Sequence, residues 1–231
     1  FQAAINSGAK CIRIPSGVNV RLTSAVILPP GSFTLFGDGI NSVISGPSST
    51  LIKFATTPDS GYPVTEIYGL CFSPSSDGAI MIDMTSVWTP SGKPPHIVRD
   101  CTFRYKGLGQ VGVFLRGVWA AKINENTFIG AGLVDAKSNE AGYGIRVSVA
   151  DDMNTSVMNI QIENNTFTVV SRPIIIGSRT LLNGGRCEGV KIVGNNIVNG
   201  IEGIYMAQCL AVSITGNQVS DFVNAITSSG C

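Results

Sequence analysis

The sequence predicts an all-β fold, a right-handed parallel β-helix in which short strands stack coil on coil behind a short N-terminal capping helix. Three observations carry this. The segment Cys187-Glu188-Gly189-Val190-Lys191-Ile192-Val193-Gly194-Asn195 returns 22 residues later as Cys209-Leu210-Ala211-Val212-Ser213-Ile214-Thr215-Gly216-Asn217, and a further 22 residues reach Cys231. A fixed period of this length is the mark of a stacked repeat. Within each copy Val190, Ile192 and Val212, Ile214 alternate with Lys191, Val193 and Ser213, Thr215; period two is a strand with one face buried. The 231 residues include 27 Gly and only 13% charged side chains, as a turn-dense solenoid requires. The repeat leaves no room for a crossover helix, and head-to-tail copies supply no antiparallel partner. Each coil therefore pairs in parallel with the one before.

Taken in order, Phe1 to Ser7 reads as a helix stopped at Gly8, placed to cover the open end of the solenoid. Cys11 to Gly17 is a strand and turn, Val20 to Leu28 a second strand ended by Pro29-Pro30-Gly31, and Phe33 to Gly39 and Ser42 to Ile44 follow. A strand–turn unit then recurs: Ile67 to Phe72, Val98 to Phe103, Ile123 to Phe128, Ile162 to Phe167, Ile192 to Ile197 and Ile214 to Val219. Its turn position is Leu70, Cys101, Asn126, Asn165, Asn195 and Asn217, at intervals of 31, 25, 39, 30 and 22 residues. Unequal intervals mean that insertions loop outward from a constant core. The four Asn are expected to point inward as an amide ladder. Residues 73–95 are one excursion, with Trp88 and three prolines in Trp88 to Pro95. Gly130 to Thr155 is the other, and such loops are where sites are built.

Aligning the second strand of each coil predicts an inward column of Ile80, Val113, Ile145, Ile174, Ile204 and Ile226. The next residue faces out: Met81, Phe114, Arg146, Ile175, Tyr205, Thr227. Two further on come Asp83, Arg116, Ser148, Gly177, Ala207 and Ser229, which makes Asp83 and Arg116 neighbours. This partly apolar outer column has two readings. It packs against another subunit, or Phe114 and Tyr205 are platforms for sugar rings.

A net charge of +1 offers no electrostatic footprint for nucleic acid, and no apolar run is long enough for membrane insertion. With His96 the only His and no CxxC pair, a zinc site is not expected, nor is any other metal or cofactor. Cys187, Cys209 and Cys231 occupy one repeat position, held by Val118 and Val157 in earlier coils, and so read as small buried residues. Free thiols fit folding in a reducing cytoplasm; a secreted protein would pair them. The chain starts at Phe1 without a signal peptide and stops where a coil would begin, so residues 1–231 read as a single β-helix domain within a longer chain.

One stretch has a more specific likeness. The helix stop at Gly8, Ile12-Arg13-Ile14-Pro15-Ser16-Gly17, Leu35-Phe36-Gly37-Asp38-Gly39 and Ser42-Val43-Ile44 resemble the start of pectate-lyase-like β-helices, most closely bacteriophage tailspikes and polysaccharide depolymerases. The resemblance extends over nearly the whole chain, but its motifs are architectural. It implies a virion-tail homotrimer, folded in the host cytoplasm and acting outside it, that binds and hydrolyses a bacterial surface polysaccharide (O-antigen or capsule). The alternatives are a non-enzymatic receptor-binding or structural β-helix and a secreted pectate-lyase-like lyase.

Hydrolysis of a glycan needs two carboxyl groups astride the bond, about 5 Å apart for retention and about 6.5–9.5 Å for inversion. The richest cluster is Asp135, Glu140, Asp151 and Asp152 in the long excursion, with Arg146 nearby to hold substrate charge; Asp83 and Asp100 are a second choice. Phe114, Tyr205, Arg116 and Trp88 complete the candidate substrate-binding set. A lyase would need a base and a cation, for which Lys137 or Arg146 is available. Several related activities lack their motifs. Of the polygalacturonase set only Asp151-Asp152 is present, with no Gly-His-Gly. Arg172-Pro173 lacks the spacing of the pectate lyase Arg motif, and the Tyr/Asp/His set of alginate epimerases is unmatched.

Overall fold

The computed structural model describes residues 1–29, 32–55, 65–85, 95–130, 142–148, 157–177 and 187–229. The strands form two long sheets in which every described pairing is parallel, so the chain is a parallel β-helix. Three walls run along it. The first stacks Cys11–Ile14, Phe33–Gly37, Thr65–Tyr68, His96–Arg99, Trp119–Asn124 and Val157–Glu163, then the short strands of the last two coils. The second stacks Asn19–Arg21, Val43–Gly46, Cys71–Pro74, Thr102–Arg104, Thr127–Ile129 and Thr166–Thr168. The third stacks Val26–Leu28, Thr50–Phe54, Ile80–Thr85, Val111–Arg116, Tyr143–Ser148 and Arg172–Ile176. Asn196–Ala207 and Gln218–Ser229 each run unbroken through the second and third walls, which joins these walls into one sheet.

The expected cap is the helix Gln2–Asn6, followed by Gly8 at φ 93°. Ile5 enters the core, and the Gln2 side chain both accepts from the Ile27 N–H (2.8 Å) and donates to the Ile27 carbonyl (3.1 Å). The helix thus satisfies backbone groups on the outermost strand of the third wall, which an open sheet edge would leave unpaired.

The bend between the first and second walls carries the predicted Asn column. Asn126, Asn165 and Asn195 are each 1% exposed. Each donates from Nδ2 to Oδ1 of the Asn one coil on: Asn126 to Asn165 at 3.0 Å, Asn165 to Asn195 at 3.0 Å, Asn195 to Asn217 at 2.8 Å. The same Oδ1 atoms accept the backbone N–H of the preceding Asn. The residue before each ladder position is left-handed: Gly194 and Gly216 at φ 64° and 65°, but also Asp100, Glu125 and Asn164 at 52°, 59° and 54°. A side chain other than Gly costs energy there; the amide network over-determines the turn and holds it.

Inside, Phe72, Phe103, Phe128 and Phe167 stack at centroid spacings of 5.3, 4.5 and 4.5 Å, all fully buried. Each buried ring contributes about 1.5–3 kcal/mol from desolvation. Cys187 and Cys209 lie in register with Val157 and are buried, and the five described cysteines (Cys11, Cys71, Cys101, Cys187, Cys209) are free thiols. Cys231 lies outside the described residues.

The third-wall alignment needs one correction. Val113 lies opposite Ile82, not Ile80, so Asp83 neighbours Phe114, and Arg116 lies between Thr85 and Ser148. The predicted Asp83–Arg116 pairing is therefore replaced by Asp83–Phe114. Met81 is buried in the core and does not face out. A slip of two residues preserves strand parity, and Ile80-Met81-Ile82 is apolar throughout, so alternation alone cannot choose between the registers. The rest of the inward column holds: Val113, Ile145, Ile174 and Ile204 are fully buried. Ile226 keeps the register in the last described coil but is 53% exposed.

Candidate functional site

The outer column of the third wall reads Ile27, Lys53, Asp83, Phe114, Arg146, Ile175, Tyr205 and Thr227. A second outer column lies across a bend in the same strands, Val111, Tyr143, Arg172, Glu202 and Asn224. The bend arises where two consecutive residues face in. Gly144 points at the core, since a Cβ there would fall 2.6 Å from Phe167 Cε1, and the next residue, Ile145, is buried as well. Gly112, against Phe128, is the same position one coil earlier, and Pro173 and Gly203 one and two coils later. Two inward residues in a row flip the phase of the strand, so Tyr143 and Arg146 both face out although they are three apart.

The two columns meet at Arg146. Its guanidinium carbon lies 5.6 Å from the Phe114 ring centroid and 5.5 Å from that of Tyr143. Arg146 is exposed, while both rings are partly exposed. Arg172 lies 5.5 Å from the Tyr143 centroid, donates from Nη1 to the Tyr143 hydroxyl (3.1 Å) and from Nε to Glu202 (3.0 Å). The Tyr143 carbonyl accepts from the buried Tyr105 hydroxyl at 2.7 Å; burial raises that phenol well above its ordinary pKa and keeps it a neutral donor. Tyr143 is thus fixed at its backbone, its hydroxyl and one flank of its ring. The group offers flat apolar surface with a cation between two rings, an arrangement suited to sugars, whose C–H faces pack on aromatic rings.

The other predicted residues fall differently. Tyr205 is 6% exposed, in a small apolar cluster with Ile175 and Ala207, against which Tyr143 packs. Its ring is covered, whereas Phe114 is partly exposed. Arg116 is part-buried, two residues along the strand from Phe114. Trp88, Asp135, Glu140, Asp151 and Asp152 lie outside the described residues. Asp83 is 8% exposed and accepts from the Thr85 hydroxyl at 2.5 Å. Asp100 stands at the bend between the first two walls, 2.6 Å from Arg99, and so on a different part of the coil from Asp83. Asp83 and Glu202, the buried carboxylates described on the third wall, are separated by four coil steps. At about 4.8 Å per step this is roughly 19 Å, beyond the separation at which two carboxyl groups can share one glycosidic bond. Among the described residues no group of three or more His, Cys, Asp or Glu is placed to hold a metal ion. No helix in the described residues is long and apolar enough to cross a membrane.

Sequence reasoning missed Tyr143, Arg172 and Glu202. Strict alternation puts Tyr143 on the face of Ile145, which is the core. The available signal was the glycine or proline repeated one residue before each inward Ile or Val (Gly112, Gly144, Pro173, Gly203), where no side chain, or only a small one, fits against the Phe stack.

The first wall also carries aromatic side chains, but differently. Phe36 and Tyr68 stack on each other at 5.2 Å with rings 17° from parallel, and Arg99 covers Tyr68 at 4.4 Å. Arg99 is itself bonded to Glu66 (2.8 Å) and Asp100 (2.6 Å). Here the two rings are stacked on each other and the cation is neutralised, which makes this group a brace on the wall.

The architecture defines the class of protein, a parallel β-helix with an aromatic and basic outer wall. Among solved structures, the chain is similar in fold to ORF18 of Geobacillus virus E2, a phage protein, with a TM-score of 0.55 and 11% identity over 99% of this chain. It spans 57% of that protein's length. No family model matches the sequence, and no curated protein matches it.

Proposed function

We propose that this chain is the β-helical body of a bacteriophage spike, a virion component that binds a bacterial surface polysaccharide along its third wall and hydrolyses it. The observation that carries the reading is the Phe114–Arg146–Tyr143 group, two partly exposed rings flanking one exposed cation on a rigid sheet. A site built on strands holds its geometry better than one built on loops, and ring faces about one coil apart suit a linear polymer lying along the solenoid. The fold likeness to a phage protein and the pectate-lyase-like motifs near the start of the chain support the same reading. Hydrolysis would rest on Asp135, Glu140, Asp151 and Asp152, which in sequence flank the strand Tyr143–Ser148 that carries Arg146. Assembly as a homotrimer belongs to the proposal.

A second reading, a β-helix that binds the polysaccharide without cleaving it, is favoured by one observation: the described third-wall carboxylates Asp83 and Glu202 are too far apart to act together. The two are separated by incubating the protein with purified O-antigen or capsule while following binding, reducing ends and the absorbance of unsaturated sugars. New reducing ends without unsaturation mark a hydrolase, unsaturation marks a lyase, and binding without either marks the inert spike. Loss of cleavage in Asp151→Asn or Asp152→Asn with binding kept assigns the acids; full activity in both moves the site elsewhere. A sedimentation mass of one chain contradicts the trimer.

A further inference from the structure

We infer that the polysaccharide read by the third wall is acidic, and that a uronic acid carboxylate docks on Arg146; this rests on the function proposed above. Three features of the described residues support it. Arg146 is exposed and lies between two aromatic rings, yet it has neither a hydrogen bond nor a carboxylate partner among the described residues. Arg13, Arg99 and Arg172 are neutralised, by Asp38 at 2.9 Å, by Glu66 and Asp100, and by Glu202 at 3.0 Å; the exposed Arg21 and Arg104 also show no ion pair among the described residues, so it is the seat between two rings that sets Arg146 apart. Arg146 is thus a cation held in place with its charge unspent.

The described surroundings preserve that charge. Glu202 is 6% exposed and committed to Arg172, which is also bonded to Tyr143. Asp83 stands two coil steps from Arg146 along the column. That is about 10 Å, and Asp83 is bonded instead to the Thr85 hydroxyl on its own strand. A guanidinium presents parallel N–H donors that match the two oxygens of a carboxylate, a geometry that an ammonium cannot copy. Phe114 and Tyr143 then receive the apolar faces of the charged sugar or its neighbour. A neutral glycan would use the rings and leave the cation idle.

The test compares a purified uronic-acid-containing bacterial polysaccharide with the same polymer after carbodiimide activation and borohydride reduction. This treatment turns each carboxylate into a hydroxymethyl group and keeps linkages and ring stereochemistry. Binding is measured by affinity electrophoresis for the wild type, Arg146→Gln and Arg146→Lys, with thermal melting to show that each variant is folded. The wild type should bind the native polymer about tenfold or more tightly than the reduced one, the range of a charged hydrogen bond. Arg146→Gln should bind both at the weaker level, and Arg146→Lys should recover only part of the preference. Equal binding of native and reduced polymers by the wild type, or an undiminished preference in Arg146→Gln, overturns the acidic reading and leaves the proposed function standing. Binding of neither polymer by the wild type counts against both.

Discussion

Asn165 donates from its side-chain amide to Oδ1 of Asn195 at 3.0 Å and to the carbonyl of Ile123 at 2.9 Å, while its own Oδ1 accepts from Asn126. One buried amide therefore ties three successive coils. Asn165→Ala would orphan the Ile123 carbonyl, the Asn126 N–H groups and one lone-pair site on Asn195 in a buried place. An unmet buried group costs about 1–3 kcal/mol, so the substitution should lower stability by about 3 kcal/mol, read as a shift in the guanidinium midpoint. Asn217→Ala, at the part-exposed end of the ladder, should cost visibly less. Equal losses at the two positions would mean that the ladder does not act as a coil-to-coil tie.

His96 gives the fold a pH dependence. It is 1% exposed, its Nδ1 accepts the Thr65 N–H at 3.3 Å, and its ring stands nearly perpendicular to that of Phe54 at a centroid distance of 5.6 Å. Burial pushes its pKa from 6.5 down to about 4, so the folded protein holds it neutral where the unfolded chain would protonate it. The unfolded state then binds more protons between these values. The stabilisation is full above pH 6.5 and is lost as pH falls toward about 4, to a total of about 3 kcal/mol. His96→Asn keeps an acceptor for Thr65 and removes the titration. Stability measured across this window should slope for the wild type and lose that part of the slope in the variant; an identical slope in both would place the proton uptake elsewhere.

The thiols should divide sharply. Burial raises Cys101 to about 12 and also raises Cys71, whereas Cys11 is exposed. A thiolate is the reactive form. Brief labelling of the native protein with iodoacetamide, followed by peptide mapping, should modify Cys11 and spare Cys71, Cys101, Cys187 and Cys209 until denaturant is added. Fast native labelling of Cys101 would contradict a sealed core.

Much of the fold was legible because stacking repeats a chemical need at each coil. The Asn turn, the Thr-Phe pair after it and the Cys187/Cys209 position recur because each coil must satisfy the same buried groups and fill the same space. The cap at Gln2–Asn6 was legible from Gly8. The third wall was only partly so. Its alternation survives a two-residue slip, which hid the Asp83–Phe114 neighbourhood, and its phase flips where Gly144 and Ile145 both face in, which hid Tyr143. Arg146 and Phe114 were found because they lie beyond that flip, where alternation holds again. The paired site of Arg172 and Glu202 is built between coils, by a register that single strands do not display.

A crystal structure of the protein with a bound oligosaccharide from a purified surface polysaccharide would show which wall is the glycan face. Sugar rings should pack on Phe114 and Tyr143 of the third wall, with a polar group of the sugar at the Arg146 guanidinium. Sugar seated on the first wall at Phe36 and Tyr68, with the Phe114–Arg146–Tyr143 group left bare, would contradict it.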